Sequence, residues 1–203
     1  MHRQGRDKRH VAAPVIGLVV LGVMGMLIVL TGCPKGNGIT VPNSDATPPG
    51  LTLGFSLEGV SGVGGTVTAG GQAQTVTLPQ KTGNLSLLAT ATDQESGILS
   101  VGIFMEADVV RCVANSCTGP TSHGLWSTPN FVSNNAKVNP GSSGAVGSSI
   151  LAQSVNLSTL ITAAPANPGD KVITTIWLVA QAENQLNGTS WTPEGKMVFT
   201  ETK

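Results

Sequence analysis

Three stretches of this chain alternate apolar and polar residues with a period of two, and that pattern limits what it can fold into. Leu51, Leu53, Phe55 and Leu57 are interleaved with Thr52, Gly54 and Ser56. Leu85, Leu87, Ala89 and Ala91 share one face of 84–92. Val172, Thr174, Ile176, Leu178 and Ala180 share one face of 171–182. A period of two is that of a half-buried strand. In the last stretch Ile173, Trp177 and Val179 make the second face apolar too, which predicts a central strand. Leu99, Val101, Ile103 and Met105 predict another strand, and 66–68 and 75–78 give shorter pieces. Ile150 to Ile161 reads as a strand followed by a helical turn, and Trp191 to Thr202 as the closing strand.

Turn signals separate these pieces: 59–65, Gly70-Gly71, 93–97, the PANPGD run at 165–170, and Asn187-Gly188, a strong hairpin signal. Gly62 to Gly65 lacks the Lys-Ser/Thr of a phosphate loop, and its glycines read as positive-φ turn residues. Residues 107–147 show little periodicity and read as a long irregular insertion with two short strands. Short strands, frequent turns and no long helix predict an all-β sandwich. With 11% charged residues and abundant Gly, the composition is β-rich and turn-rich.

The N-terminus has a different character. Arg3, Arg6, Lys8 and Arg9 stand against one acid, Asp7, and Val11 to Leu30 then carries no charge at all. A basic stretch followed by an apolar one is the order an export signal requires. The run ends in Leu30-Thr31-Gly32-Cys33. Here the chain resembles bacterial lipoproteins, whose signature is an aliphatic residue, two small residues and Cys. The resemblance implies a diacylglyceryl group on the Cys33 thiol, cleavage before Cys33 that removes the signal peptide 1–32, and acylation of the new amine. Several acyl chains, at about 0.8 kcal/mol per buried methylene, make a stable anchor. The run is longer than the 7–15 residues usual for a cleaved signal. A permanent membrane helix, with Cys33 an ordinary thiol, is therefore the alternative. Either way the rest of the chain lies outside the cytoplasm.

Residues 33–50, rich in Pro, Gly and Asn, read as a flexible tether, and 51–203 as the folded domain. A second resemblance bears on that domain. Asp45-Ala46-Thr47-Pro48-Pro49, then Ala91-Thr92-Asp93 with Ser96-Gly97-Ile98 and Val101, look like segments of bacterial immunoglobulin-like surface domains. Ala180-Gln181-Ala182-Glu183-Asn184 followed by Asn187-Gly188 is similar to the strand before their final hairpin, although Glu183-Asn184-Gln185 departs from the family's usual Asp and Gly-Asn. The resemblance implies an immunoglobulin-like β-sandwich. It speaks to fold and not to activity.

Beyond residue 32 the chain has seven bases and ten acids, with no basic patch, which argues against nucleic acid as a partner. Cys112 and Cys117 lie close together in a stretch expected to be outside the cytoplasm, and read as a disulfide. Half a metal site is the other reading, but no second CxxC or nearby His accompanies them. His123 is the one histidine beyond the signal, has no nucleophile elbow beside it, and reads as solvated. Asp93 and Glu95, at a strand end, could contribute to a Ca²⁺ site; the simpler reading is that Asp93 caps its turn. Trp126 and Phe131 fall in the insertion and read either as a contact patch or as cover for an open sheet edge.

The expectation is a lipid-anchored cell-envelope protein without catalysis, metal or cofactor. It would contact the membrane through Cys33 and serve a structural or envelope-protein-binding role. The alternative is a carbohydrate- or substrate-binding module, which requires Trp126, Phe131 or Trp191 exposed on a flat face or in a groove.

Overall fold

The alternating stretches form strands where their patterns place them. A computed structural model describes residues 38–114, 116–120, 126–128 and 139–203, with 126–128 described by backbone alone. Val11 to Leu30, Cys33, His123 and Phe131 lie outside the described residues. In chain order the strands are β1 (Ile39–Thr40), β2 (Gly50–Leu57), β3 (Gly64–Thr68), β4 (Gln74–Thr77), β5 (Asn84–Thr92) and β6 (Ile98–Val113). There follow β7 (Ser116–Thr118), β8 (Trp126–Thr128), β9 (Ser143–Ala145), β10 (Ser148–Asn156), β11 (Lys171–Asn184), β12 (Thr189–Trp191) and β13 (Gly195–Thr202). The expected helical turn, α1 (Leu157–Leu160), follows β10, and the Asn156 side chain caps it by accepting from the Ser158 N–H.

One sheet has four described strands in the order β10-β5-β2-β3. The other runs β4-β13-β11-β6-β7, with β12 joined to β11 and β8 to β6. Pairing is antiparallel throughout, except that β4 joins β13 in parallel. β11 lies between β6 and β13, the central place its two apolar faces predict. The inward residues of β2 (Leu51, Leu53, Phe55, Leu57) and β5 (Leu85, Leu87, Ala89, Ala91) join Val101, Ile103 and Met105 of β6 and Ile176, Leu178 and Ala180 of β11 in one buried cluster. The described chain is thus all-β, its two main sheets sharing one core. Phe55 packs against glycines of both sheets. A Cβ placed on Gly195 of β13 would lie 2.6 Å from its ring, and one on Gly65 of β3 would lie 2.8 Å from it. Only glycine leaves room at either position.

Five details differ from the sequence reading. First, the described part of the expected tether, 38–50, is packed on the domain. β1 pairs with β9, Val41 is fully buried, and the Val41 N–H donates to Ser142 O at 2.8 Å. Pro and Gly content suggested coil, but Val41 buries its apolar side chain and Ile39, half-buried, sits in a short strand.

Second, the expected insertion at 107–147 holds more sheet than the two short strands expected there. β6 continues to Val113, and β7, β8 and β9 follow. The signal was hidden because residues 106–110 are all half-buried, so the strand's two faces do not contrast. Third, Leu99 falls out of step with Val101, Ile103 and Met105. The register against β11 shifts between Glu183 and Asn184, which pair with Ser100 and Ile98, so Leu99 is the extra residue of a bulge.

Fourth, the closing strand is broken at 192–194, where Pro193 cannot donate to a ladder. Thr192 bridges the break. Its N–H donates to Ala180 O, and its Oγ1 accepts from the Ala180 N–H at 2.9 Å. Fifth, of the glycines at 62–65 only Gly62, at φ +77°, serves a left-handed turn, while Gly64 and Gly65 lie in β3.

Candidate functional site

Two places on the domain gather polar and aromatic side chains. The first is the outer face of the larger sheet. Alternation along β11 sends Trp177, Val179 and Gln181 outward, opposite Glu106, Phe104 and Gly102 of β6. On the other side Lys196 of β13 stands opposite Trp177, and Trp191 of β12 opposite Gln181. Gly102 presents no side chain, so the Phe104 ring and Trp191 meet above that row. Their centroids lie 5.3 Å apart at 34°, within the range of favourable aromatic pairs. Trp191 remains 49% exposed.

Beside this pair is a small cavity of about 110 Å³ lined by Phe104, Met105, Glu106, Trp177, Val179 and Glu194. Trp177 is fixed from two directions. Its Nε1–H donates to Asp108 Oδ2 at 2.9 Å, and the Lys196 Nζ sits 3.9 Å above its ring. Glu194 in turn lies 3.5 Å from that ammonium. An apolar ring surface rimmed by carboxylates and an ammonium can stack on a flat ligand face and exchange hydrogen bonds with hydroxyl or amide groups.

The second place is the junction of the N-terminal segment with two turns. Asp93 Oδ1 accepts from the N–H groups of Glu95 (3.1 Å), Ser96 (2.8 Å) and Gly97 (3.3 Å). Asp93 thus caps its turn, the simpler of its two sequence readings. The Ser96 hydroxyl lies 2.6 Å from Asp45 Oδ2 and 3.1 Å from Asp93 Oδ2. The Asn184 amide nitrogen donates to Asp93 Oδ2 at 3.0 Å and to Thr47 O at 3.2 Å. Its amide oxygen accepts from the N–H groups of Leu186 and Gly188. Asn184 therefore ties the hairpin at Asn187-Gly188 to both the Asp93 turn and the N-terminal segment. Gly97, at φ +81°, is required here, since a Cβ would meet the Ala145 Cβ at 2.5 Å.

Charge at this junction is balanced unevenly. The Ser96 hydroxyl and the Thr47 N–H hold the Asp45 carboxyl below the usual aspartate range. A hydrogen bond to Asp45 and repulsion from the same carboxylate push Glu95 above the usual glutamate range. A raised acid favours the fold while protonated. Its contribution is complete below the unfolded glutamate pKa and is lost as pH rises through the folded one. For Asp45 the sign is opposite: its contribution is present above the ordinary aspartate pKa and is lost as pH falls through the lowered value. Glu95→Gln keeps a donor for Asp45 without the second negative charge. Glu95 is exposed, so solvent screens the effect; the variant should melt only slightly above the parent at pH 7, and the gap should close as the buffer is taken down through the Glu95 titration. An equal gap at all pH values in a melting series would contradict this.

Cys112 and Cys117 are joined by a disulfide, directly opposite each other across the β6–β7 hairpin, which turns at Ala114 with φ +46°. Among the described residues, no group of three or more His, Cys, Asp or Glu side chains is placed to hold a metal ion. The backbone of β8 places Trp126 opposite Met105 of β6. Sequence reasoning singled out Trp191 and Asp93 and placed Asp45 and Asn184 only within resemblance segments, and it gave Phe104 no role. The usable signal for Phe104 was Gly102 two residues before it on the same face. For Asp45 and Asn184 the partners are distant in sequence, and only the fold brings them together. The chain matches no protein-family model, and it matches no curated protein in sequence.

Proposed function

We propose that this chain is a lipoprotein of the bacterial cell envelope, anchored by acyl groups on Cys33, that displays an immunoglobulin-like β-sandwich in a structural or protein-binding role without catalysis of its own. The observation that carries the proposal is Leu30-Thr31-Gly32-Cys33 at the end of a charge-free run that follows a basic stretch. The immunoglobulin-like part draws support from one geometric fact. The three segments that resemble that family contribute Asp45, the Asp93–Gly97 turn and Asn184, and these meet in a single hydrogen-bonded junction. Growing cells with an alkyne analogue of palmitate tests the anchor. The parent chain should carry the label and Cys33→Ala should not. Equal labelling of both would remove the proposal's basis.

A second reading, a carbohydrate-binding module, is favoured by the exposed Trp191 ring packed on Phe104 beside a carboxylate-lined cavity. It predicts that envelope oligosaccharides quench tryptophan fluorescence saturably, and that Trp191→Ala weakens binding by about fivefold or more, since one stacked aromatic contributes on the order of 1 kcal/mol or more. The unfolding midpoint should barely change, because half of that side chain is already in solvent. Undiminished binding by Trp191→Ala would end this reading.

A further inference from the structure

The cavity beside Trp177 has a one-sided chemistry. The polar side-chain groups of its lining are the carboxylates of Glu106 and Glu194 and the Trp177 Nε1–H, and that N–H already donates to Asp108 Oδ2. The main chain of β6 and β11 bonds within the plane of the sheet. A group arriving from solvent therefore meets, among the described lining residues, acceptors and aromatic rings. The carboxylates of Glu106, Asp108 and Glu194 stand against one ammonium, that of Lys196.

The molecule itself shows which group suits such surroundings. The Lys196 Nζ sits 3.9 Å from the Trp177 ring centroid and 3.5 Å from Glu194 Oε2, so this indole and this carboxylate already hold an ammonium of the chain. An ammonium is donor-only, is drawn to an aromatic face, and offsets the excess of negative charge. The cavity, about 110 Å³, is roughly four times the 30 Å³ share of one liquid water, which is room for an ammonium and its carbon but not for a whole sugar ring. A ring has its own place next to it. A Cβ on Gly102 would lie 3.6 Å from the Phe104 ring, an ordinary contact, so packing does not demand glycine there. Glycine weakens a strand and marks points of close approach. At Gly102 it leaves the flank of the Phe104–Trp191 pair open, and Trp191 is half exposed.

We propose that this face binds sugars that carry a free amine, with the sugar ring stacked on Trp191 and its ammonium in the cavity against Glu106, Glu194 and Trp177. The proposal rests on the carbohydrate-binding reading and narrows it to one class of sugar. An N-acetylated sugar brings no charge to the carboxylates, and its carbonyl adds an acceptor to a site already lined by acceptors. An acidic sugar is repelled by the same carboxylates. A neutral hydroxyl can donate to them but lacks the attraction of a cation to the indole.

The test is calorimetric titration of the full chain in detergent with linear trimers of glucosamine, N-acetylglucosamine and glucose, and with a lysine trimer as a cation that has no sugar ring. The glucosamine trimer should bind about tenfold more tightly than the two neutral trimers, as expected of one cation–π contact and one partly exposed ion pair together. It should also bind more tightly than the lysine trimer. Glu106→Gln and Glu194→Gln should each bring the glucosamine trimer closer to the glucose trimer, with an unchanged circular dichroism spectrum. If Glu106→Gln does not fold, Glu194→Gln carries the test, because that side chain is 54% exposed. Equal binding of the glucosamine and N-acetylglucosamine trimers would overturn the proposal and leave the carbohydrate-binding reading standing. Absence of binding by every sugar trimer would overturn both. A lysine trimer that binds as tightly as the glucosamine trimer, or a preference for glucosamine that survives the glutamine substitutions, would overturn the proposal.

Discussion

Replacing Asp93 with alanine should cost the domain about 3–4 kcal/mol, read as a drop of about 10 °C in melting temperature. The reason is the number of donors left behind. One buried carboxylate accepts from three consecutive backbone N–H groups and from the Asn184 amide, and lies within reach of the Ser96 hydroxyl. Ser96, Gly97 and Asn184 are themselves buried, so their donors cannot turn to water. An orphaned buried donor costs about 1–3 kcal/mol, and several are orphaned together. The Asp93→Asn variant should fall between, because one oxygen remains for the backbone while an NH₂ group now opposes Asn184. Urea unfolding of the three proteins would measure this. A loss below about 1 kcal/mol for the alanine variant would mean that the junction holds the N-terminal segment without stabilising the domain.

The Phe55→Ala variant should lose about 3–5 kcal/mol, the usual range for removing a buried phenylalanine. Phe55 is 2% exposed, and its ring occupies the space that Gly195 on one sheet and Gly65 on the other leave open. Neither glycine has a side chain to fall into the cavity, so relaxation is poor and the cost should sit at the upper end. Phe55→Leu should recover part of it. Denaturant midpoints measured at constant m-value would separate this from a change in the unfolded state. A cost near 1 kcal/mol for Phe55→Ala would show that the two sheets close without that ring.

The parts of this fold that were legible in the sequence are those where burial is one-sided. β2, β5 and the central β11 each carry a clean alternation because one face is in the core. The hairpin at Asn187-Gly188 was legible because Asn187 adopts φ +68°, a conformation that Asn tolerates and that the turn requires. The outer half of β6 was not legible, since Ala107 to Val110 are half-buried on both faces and give no period. The N-terminal segment was misread for another reason. Its Pro and Gly content matches a linker, and what docks it are Asp45, Thr47 and Val41, whose partners lie at Ser96, Asn184 and Ser142. Contacts at that separation leave no local periodicity. The candidate site follows the same logic. Trp191 could be named as a ring to watch, but its place on Phe104 depends on β12 folding back onto β11.

The central claim is the anchor on Cys33, and intact mass spectrometry of the membrane-extracted protein tests it most directly. The proposed function predicts a mass equal to residues 33–203 plus acyl groups for the parent chain. It predicts loss of those acyl groups in Cys33→Ala. A mass matching all 203 residues, unmodified and identical in kind for both proteins, would contradict it. The apolar run Val11 to Leu30 would then be a retained segment, and Cys33 an ordinary thiol.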